Sequence, residues 1–151
     1  MANTYTKLYL HIVFHVKCTR IPMRVEDLSM VFKYIGGIIN NIGGCPLAIG
    51  GISNHIHILA AMPKTMSVAD FVRFIKANSS KWIKSLDEYY EPFAWQEGYG
   101  AFTVSSSAVK TIAKYIENQA KHHNEESVID EYKRLLDDNG IEYDEHYILN
   151  D

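Results

Sequence analysis

The stretch 46-PLAIGGISNHIHILAA-61 decides the fold. It holds two short apolar runs, 46–52 and 55–61, and only Ser53 and Asn54 separate them. Two parallel strands need a crossover connection of about a dozen residues or more, so a two-residue link leaves room only for a hairpin. The stretch therefore predicts two antiparallel strands joined by a tight turn.

On the amino-terminal side of this hairpin, the sequence predicts another strand and a helix. Side chains of the segment 5–17 alternate in the way that is typical of a strand, with His11 and His15 on one face. Over 25–42 the apolar residues recur at helical spacing, and acidic residues occupy the first turn. A strand followed by a helix thus precedes the hairpin.

On the carboxyl-terminal side, Ser67 has the position of a helix N-cap, and Gly140 that of a helix stop. The predicted elements between them are a helix over 67–86, a β-prone aromatic segment over 93–104, a helix from 105 to about 124 and a helix over 128–139. The whole order predicts an α+β fold with a largely antiparallel sheet and helices packed on one face.

The composition is that of an ordinary globular protein. Of 151 residues, 47% are hydrophobic and 22% charged, and no apolar run is long enough to cross a bilayer. The first residues lack the pattern of a secretory signal, so we expect a cytoplasmic protein without membrane association. No interior segment resembles a linker, so we expect one domain over 1–140 and an acidic tail over 141–151.

The formal net charge of −3 alone argues against a nucleic-acid partner, because phosphate binding calls for a basic surface. The charges are unevenly distributed, however. Residues 1–123 hold 13 lysines and arginines against 8 acidic residues, whereas residues 124–151 hold 2 against 10. The acidic end is therefore either a solvated segment or a mask over a cationic groove.

His55 and His57 are two residues apart on a predicted strand, so both side chains leave the same face while Ile56 and Ile58 enter the core. Two neighbouring imidazoles make half of a metal site. The alternative is a pair of polar residues on the open face of a sheet. A metal site needs a third ligand, which the spacing alone does not identify.

Tyr115 and Gln119 are four residues apart on a predicted helix, so they project from the same side of it, beside the apolar stripe. Taken alone, this pair is also compatible with an exposed helix flank and a half-buried tyrosine. The histidine pair and the helix together are more informative than either one.

Four segments in this order and spacing resemble the single-tyrosine HUH transposases of small insertion sequences, where HUH denotes histidine, hydrophobic residue, histidine. The resemblance includes the related enzymes associated with repetitive extragenic palindromes. The segments are 53-SNHIHIL-59, 71-FVRFIKANSSKWI-83, 95-WQEGYGAFTVS-105 and 115-YIENQAKHH-123. The resemblance implies that the α+β fold is of the ferredoxin-like, HUH type. Residues after about 140 lie outside the resemblance.

The resemblance implies that His55, His57 and Gln119 bind a divalent cation and that Tyr115 attacks a DNA phosphodiester, leaving a 5′-phosphotyrosine and a free 3′-hydroxyl. The residue types agree with this chemistry. Tyrosine has a pKa of about 10, so its phenol is a weak nucleophile unless a cation polarises the phosphate. Two neutral imidazoles and an amide oxygen suit Mg²⁺ or Mn²⁺, and no thiolate lies near the motif.

The family also implies single-stranded or hairpin DNA as the partner, and a homodimer in which Tyr115 of one subunit meets the histidines of the other. A helix after the last strand need not reach back to the histidines of its own chain, so the sequence leaves open whether Tyr115 acts within its own subunit or on the partner. The DNA-binding residues that we predict are basic residues on one helix, namely Arg73, Lys76, Lys81 and Lys84. His11 and His15 are interpreted as ordinary sheet histidines.

Two other functions are compatible with the sequence. A non-catalytic module could bind single-stranded nucleic acid through the basic helix and nearby aromatic residues. A metallohydrolase could cleave a small phosphodiester with the histidines and Gln119 but without Tyr115. An intact Tyr115 favours the transposase.

Overall fold

The centre of the fold is a four-stranded antiparallel sheet, seen in a computed structural model that describes residues 3–122 and 126–150. The spatial order is β2-β3-β1-β4, so β1 and β3 are the central strands. The strands are β1 (Tyr9–His15), β2 (Cys45–Ile52), β3 (His55–Ala61) and β4 (Gly100–Thr103). The β2–β3 pair is the hairpin predicted from its two-residue link.

The helices within the described residues surround this sheet. Short 3-10 turns precede the first and third helices. The helices are α1 (Leu28–Asn41), α2 (Val68–Leu86), α3 (Val109–Glu117), α4 (Gln119–His122), α5 (Val128–Asp138) and α6 (Glu145–Asn150). The Ser67 hydroxyl accepts a hydrogen bond from the Asp70 backbone amide at 3.1 Å, which confirms the predicted N-cap of α2.

Both faces of the sheet are covered. One face packs on the long helices α1 and α2, and its buried side chains include Ile12, Phe14, Ile56 and Ile58. The other face carries the alternate residues of the same strands and packs on α3 and α5. The antiparallel α+β fold is confirmed, and α1 and α2 do share one face. The prediction of helices on one face did not include the second layer, which α3 and α5 form on the other face. This layer buries β1 and β3 on both sides.

The predicted helix from 105 to about 124 is interrupted. α3 ends at Glu117, the chain leaves helical geometry at Asn118, and α4 starts at Gln119. Its predicted end near Asn124 lies outside the described residues. The interruption matters for the site, because it places Tyr115 in α3 and Gln119 at the start of a separate helix, α4.

The acidic end of the chain contributes to the core. Tyr132, Leu135 and Leu136 of α5 are buried against Val13 and Phe102 of the sheet, together with Ile148 of α6. Gly140 follows α5 with a φ of 67°, the left-handed conformation that glycine adopts without strain. The buried residues of α5, together with Ile148 of α6, are therefore packed on the sheet rather than extended into solvent.

None of the helices within the described ranges combines the length and the apolarity that spanning a membrane would require.

The contact between α3 and the sheet requires a glycine at position 50. A Cβ atom at Gly50 would collide with the backbone carbonyl oxygen of Ile116 and would lie 3.1 Å from the Cγ2 atom of that residue. A backbone carbonyl cannot move without displacing the helix. The absence of a side chain at Gly50 therefore sets how closely α3, and with it Tyr115, approaches β2.

We expect Gly50→Ala to lower the free energy of unfolding by about 1–3 kcal/mol, because overpacking at a backbone contact displaces α3. Urea unfolding followed by circular dichroism measures this change. Gly37→Ala in α1 is the matched control, because a Cβ atom there meets no atom within 4 Å. Alanine at this helical position should stabilise the protein by about 0.5–1 kcal/mol. Equal effects of the two substitutions would contradict the close contact.

Candidate metal and tyrosine site

His55 and His57 lie in the central strand β3 and have no solvent-exposed surface. Both point to the face of the sheet that α3 and α5 cover, while Ile56 and Ile58 enter the core on the opposite face. The shared face inferred from their spacing is thus present. Two fully buried imidazoles must find polar partners inside the protein, because an unpaired buried polar atom is costly.

Gln119 and Tyr115 reach this face from the other side. The Gln119 Oε1 atom is 3.0 Å from His55 Nε2, and the Tyr115 and His57 ring centroids are 5.8 Å apart. Gln119 is buried, whereas Tyr115 is partly exposed. The predicted nucleophile and the three predicted metal ligands therefore lie together in a single chain, where α3 and α4 bring Tyr115 and Gln119 to the two histidines.

Glu131 of α5 lies at the centre of the cluster that it forms with His55, His57, Gln119 and Tyr115. The sequence did not predict it as a site residue. Its side chain is buried, and its Oε1 atom lies 2.9 Å from His57 Nε2 and 3.2 Å from His55 Nε2. Its Oε2 atom accepts hydrogen bonds from the Gln119 amide at 3.2 Å and from the Tyr115 hydroxyl. One carboxylate thus contacts every residue of the predicted site.

A sequence signal for Glu131 did exist. Glu131 is three residues after Val128 and four before Leu135, so it falls within the apolar stripe of α5. A carboxylate in the buried stripe of a helix is rare unless it has a partner. The surrounding excess of acidic residues concealed this signal, because it suggested a solvated segment.

The cluster has the composition of a site for a hard divalent cation. The ligand atoms of His55, His57 and Glu131 all lie within 4.8 Å of one another. The contacts of 2.9–3.2 Å between neighbouring nitrogen and oxygen atoms resemble the separation of about 3 Å between adjacent ligands of an octahedral ion with bonds of about 2.1 Å. Nitrogen and oxygen donors without thiolate suit Mg²⁺ or Mn²⁺. This buried cluster can therefore bind a metal ion.

The electrostatics of the cluster keep the tyrosine protonated. Burial would raise the pKa of Glu131, but hydrogen bonds from His55 and His57 outweigh it and hold that pKa well below its usual range. Burial and the hydrogen bond to Glu131 raise the pKa of Tyr115 well above that of free tyrosine. The Tyr115 phenol is therefore a neutral donor to an ionised carboxylate.

Arg134, one turn after Glu131 on α5, opposes this effect. Its Nη2 atom donates to the Tyr115 hydroxyl oxygen at 2.7 Å, and its guanidinium is held by Glu126 at 3.1 Å. The positive charge of Arg134 favours the phenolate form of Tyr115 and so offsets part of the rise in the pKa of that residue. The phenol oxygen thus has a proton acceptor and a cationic donor, and both come from α5.

His11 adjoins the cluster from the neighbouring strand. Its Nε2 atom lies 2.8 Å from His57 Nδ1, and burial, reinforced by the proximity of His57, lowers the pKa of His11 to about 3. His11 is thus neutral at physiological pH. His15 behaves differently, since its Nδ1 atom hydrogen-bonds the Val16 carbonyl oxygen at 2.8 Å.

The predicted DNA-binding residues lie on α2, on the opposite face of the sheet from the histidines. Arg73, Lys81 and Lys84 are exposed, and Arg73 pairs with Asp70 at 2.8 Å. Lys76 differs from them. Its Nζ atom donates to the backbone carbonyls of Gln96, Glu97 and Gly98 at 2.6–3.0 Å, so Lys76 braces the segment before β4.

Comparisons with known proteins bear on the fold and on the family of this chain. A family model described as "Transposase IS200 like" matches residues 4–119, and no curated protein matches the chain. One similar solved structure is a candidate transposase from Deinococcus radiodurans R1, with 22% identity and a TM-score of 0.61 over 79% of this chain and 95% of that one. Another is a REP-associated tyrosine transposase bound to a REP hairpin, with 14% identity and a TM-score of 0.59 over 82% of this chain and 73% of that one.

At such identities the two structures establish the likeness of fold alone. The family match carries more, because it covers most of the chain and includes His55, His57, Tyr115 and Gln119. The sequence match, the antiparallel sheet and the buried histidine pair all agree. This protein belongs to the IS200-like transposase family.

Proposed function

We propose that this protein is a transposase that cleaves and rejoins single-stranded DNA through a covalent bond between Tyr115 and a 5′-phosphate. One observation carries the proposal: the Tyr115 hydroxyl and the two histidines share the carboxylate of Glu131 within one chain. Membership of the IS200-like family supports DNA as the substrate.

In the proposed reaction, the Tyr115 oxygen attacks the phosphorus and the bond from phosphorus to the 3′-oxygen breaks. The phenol loses its proton and the departing 3′-oxygen gains one, which leaves a 5′-phosphotyrosine and a free 3′-hydroxyl. Because the bond energy is kept in the phosphotyrosine, attack by a 3′-hydroxyl rejoins the strand without ATP. The hydrogen bond from Arg134 to the phenol oxygen would strengthen as negative charge develops there.

We further propose that His55, His57 and Gln119 hold Mg²⁺ or Mn²⁺, with Glu131 as an additional oxygen ligand. A bound divalent cation would polarise the phosphate and favour the phenolate form of the nucleophile. The support is the convergence of the two Nε2 atoms, the amide oxygen and the carboxylate oxygen on one buried space. Glu131 would add a negative charge, which should tighten binding of a hard cation.

The proposed substrate is a single strand that bears a hairpin. The second similar structure was determined with a REP hairpin bound, which motivates the choice. Arg73, Lys81 and Lys84 are exposed cations that suit phosphate contacts away from the cut. Lys76, which is engaged with three backbone carbonyls, would act indirectly through the segment that it braces.

The geometry also bears on which subunit supplies the tyrosine. Tyr115 approaches His57 and Glu131 of its own chain, so we propose that one chain can hold a complete site. A homodimer with shared sites stays a prediction, since it would require α3 and α4 to leave the positions described above and dock on a second copy.

We expect Tyr115→Phe to reduce cleavage of a hairpin-bearing single strand by roughly 10³-fold or more, because the nucleophilic oxygen is lost. DNA binding should remain, since the aromatic ring is kept. A denaturing gel measures cleavage and gel shift measures binding. Tyr34→Phe, on the opposite face of the sheet, is the matched control. Full cleavage by Tyr115→Phe would favour a metallohydrolase, and binding without cleavage by the unsubstituted protein would favour a non-catalytic module.

We expect His57→Ala and Gln119→Ala each to weaken Mn²⁺ binding in calorimetry, and excess Mn²⁺ to rescue the glutamine variant better, because an imidazole is the stronger ligand. The loss for His57→Ala should exceed the roughly 10–100-fold effect that is typical of residues outside the coordination shell. His146→Ala removes an exposed imidazole and serves as the control. Unchanged affinity in both site variants would remove these residues from the metal site.

Mixing two inactive variants tests where the tyrosine acts. If one chain holds a complete site, Tyr115→Phe mixed with His57→Ala should stay inactive, because neither chain has both groups. Covalent attachment of labelled DNA after subunit exchange is the readout, with the unsubstituted protein as positive control. Labelling of the His57→Ala chain in the mixture would instead establish a shared site in a dimer.

A further inference from the structure

On the side that faces away from Glu131, His57 contacts the imidazole of His11. His57 pairs directly with Val13 of β1, and His11 lies two residues before Val13 on the same face of that strand. The two rings are therefore diagonal neighbours in the sheet, with their centroids 5.0 Å apart. The His11 Nε2 atom is 2.8 Å from His57 Nδ1, and both residues are buried.

The chemistry of the two His57 nitrogens makes this contact important. A neutral imidazole carries one proton, and a nitrogen that donates its lone pair to a metal cannot hold it. The His57 Nε2 atom points to the cluster with Glu131, so binding a cation there requires the proton on Nδ1. That proton needs an acceptor, and the His11 Nε2 atom is at hydrogen-bond distance.

His55 is arranged in the same way. Its Nε2 atom faces Gln119 and Glu131, and its Nδ1 atom is 3.2 Å from the side-chain oxygen of Asn54, an acceptor in the turn of the hairpin. Each histidine therefore directs Nε2 into the cluster and Nδ1 to a partner behind it. His11 has the position relative to His57 that Asn54 has relative to His55.

We propose that His11 is a positioning residue that accepts the Nδ1 proton of His57 and so fixes the tautomer and ring orientation needed for metal binding. The inference rests on the proposed metal site. It requires His11 itself to carry its proton on Nδ1, leaving Nε2 as the acceptor. His11 also borders a cavity of about 270 Å³ next to Tyr115 and Arg134, so a substituted side chain has room at this position.

The test compares three variants by Mn²⁺ calorimetry. His11→Phe keeps a planar ring but lacks an acceptor, and we expect it to weaken Mn²⁺ affinity by about 10–100-fold, as is typical for the outer partner of a metal-bound histidine. His11→Gln places an amide oxygen near the former Nε2 atom and should restore most of the affinity. A purely steric role for His11 would not produce this rescue.

His15→Phe is the matched control, because His15 lies on the same strand and face, is similarly buried and hydrogen-bonds Val16 rather than His57. It should weaken Mn²⁺ affinity far less than His11→Phe does. Equal losses in the two variants, or no loss in His11→Phe, would overturn the proposal. Thermal unfolding of each variant shows whether a loss of affinity reflects a loss of folded protein.

A second measurement separates failure of this inference from failure of the proposed function. Long-range ¹H–¹⁵N spectra of the protein with diamagnetic Zn²⁺ report which imidazole nitrogens carry protons. We expect a proton on Nδ1 of His57 and none on Nε2 of His11. If the unsubstituted protein binds Mn²⁺ but shows a proton on His11 Nε2, the proposal for His11 is wrong and the metal site stands. If it binds neither ion, the metal function and the role of His11 both fail.

Discussion

Burial of His55 and His57 on a central strand is the constraint on which the rest of this site depends. Neither imidazole reaches solvent, so every ring nitrogen of the two histidines needs a hydrogen-bond partner in the protein or a bound ion. Different elements meet that need: β1 supplies His11, the hairpin turn supplies Asn54, α4 supplies Gln119 and α5 supplies Glu131. This face of the sheet therefore carries a polar network beside the apolar clusters that pack on α3 and α5.

Glu131 gives that network its electrostatic character. A single buried carboxylate contacts two imidazoles and accepts a hydrogen bond from the Tyr115 hydroxyl, while Arg134 contacts the same phenol oxygen. Since a buried charge is stable only when it is paired and hydrogen-bonded, each partner of Glu131 helps to keep it ionised. Glu131 and Arg134 both lie beyond residue 119, where the family match ends. This chain therefore completes its tyrosine site with a helix outside the matched segment.

Packing of α3 on the sheet also fixes the position of Tyr115. α3 approaches β2 so closely that only a glycine fits at position 50, and Ile116, next to Tyr115, is fully buried in that contact. The chain then leaves helical geometry at Asn118, which brings Gln119 to His55 while its amide group stays near the Tyr115 carbonyl oxygen. Backbone contact and an interrupted helix together align two side chains that come from one segment of the chain.

Much of this molecule follows from the sequence. The two-residue link Ser53-Asn54 determines an antiparallel hairpin, alternation puts His55 and His57 on one face, and the motif resemblance identifies Tyr115 and Gln119. Local patterns suffice for these features because they depend on spacing along one element. The register between strands and the docking of α5 depend on contacts between distant segments, so only the tertiary structure revealed them. His11 contacts His57 because of the register in which β1 pairs with β3. Glu131 lies at the centre of the site although its segment is acidic, because the apolar stripe of α5 buries that face of the helix.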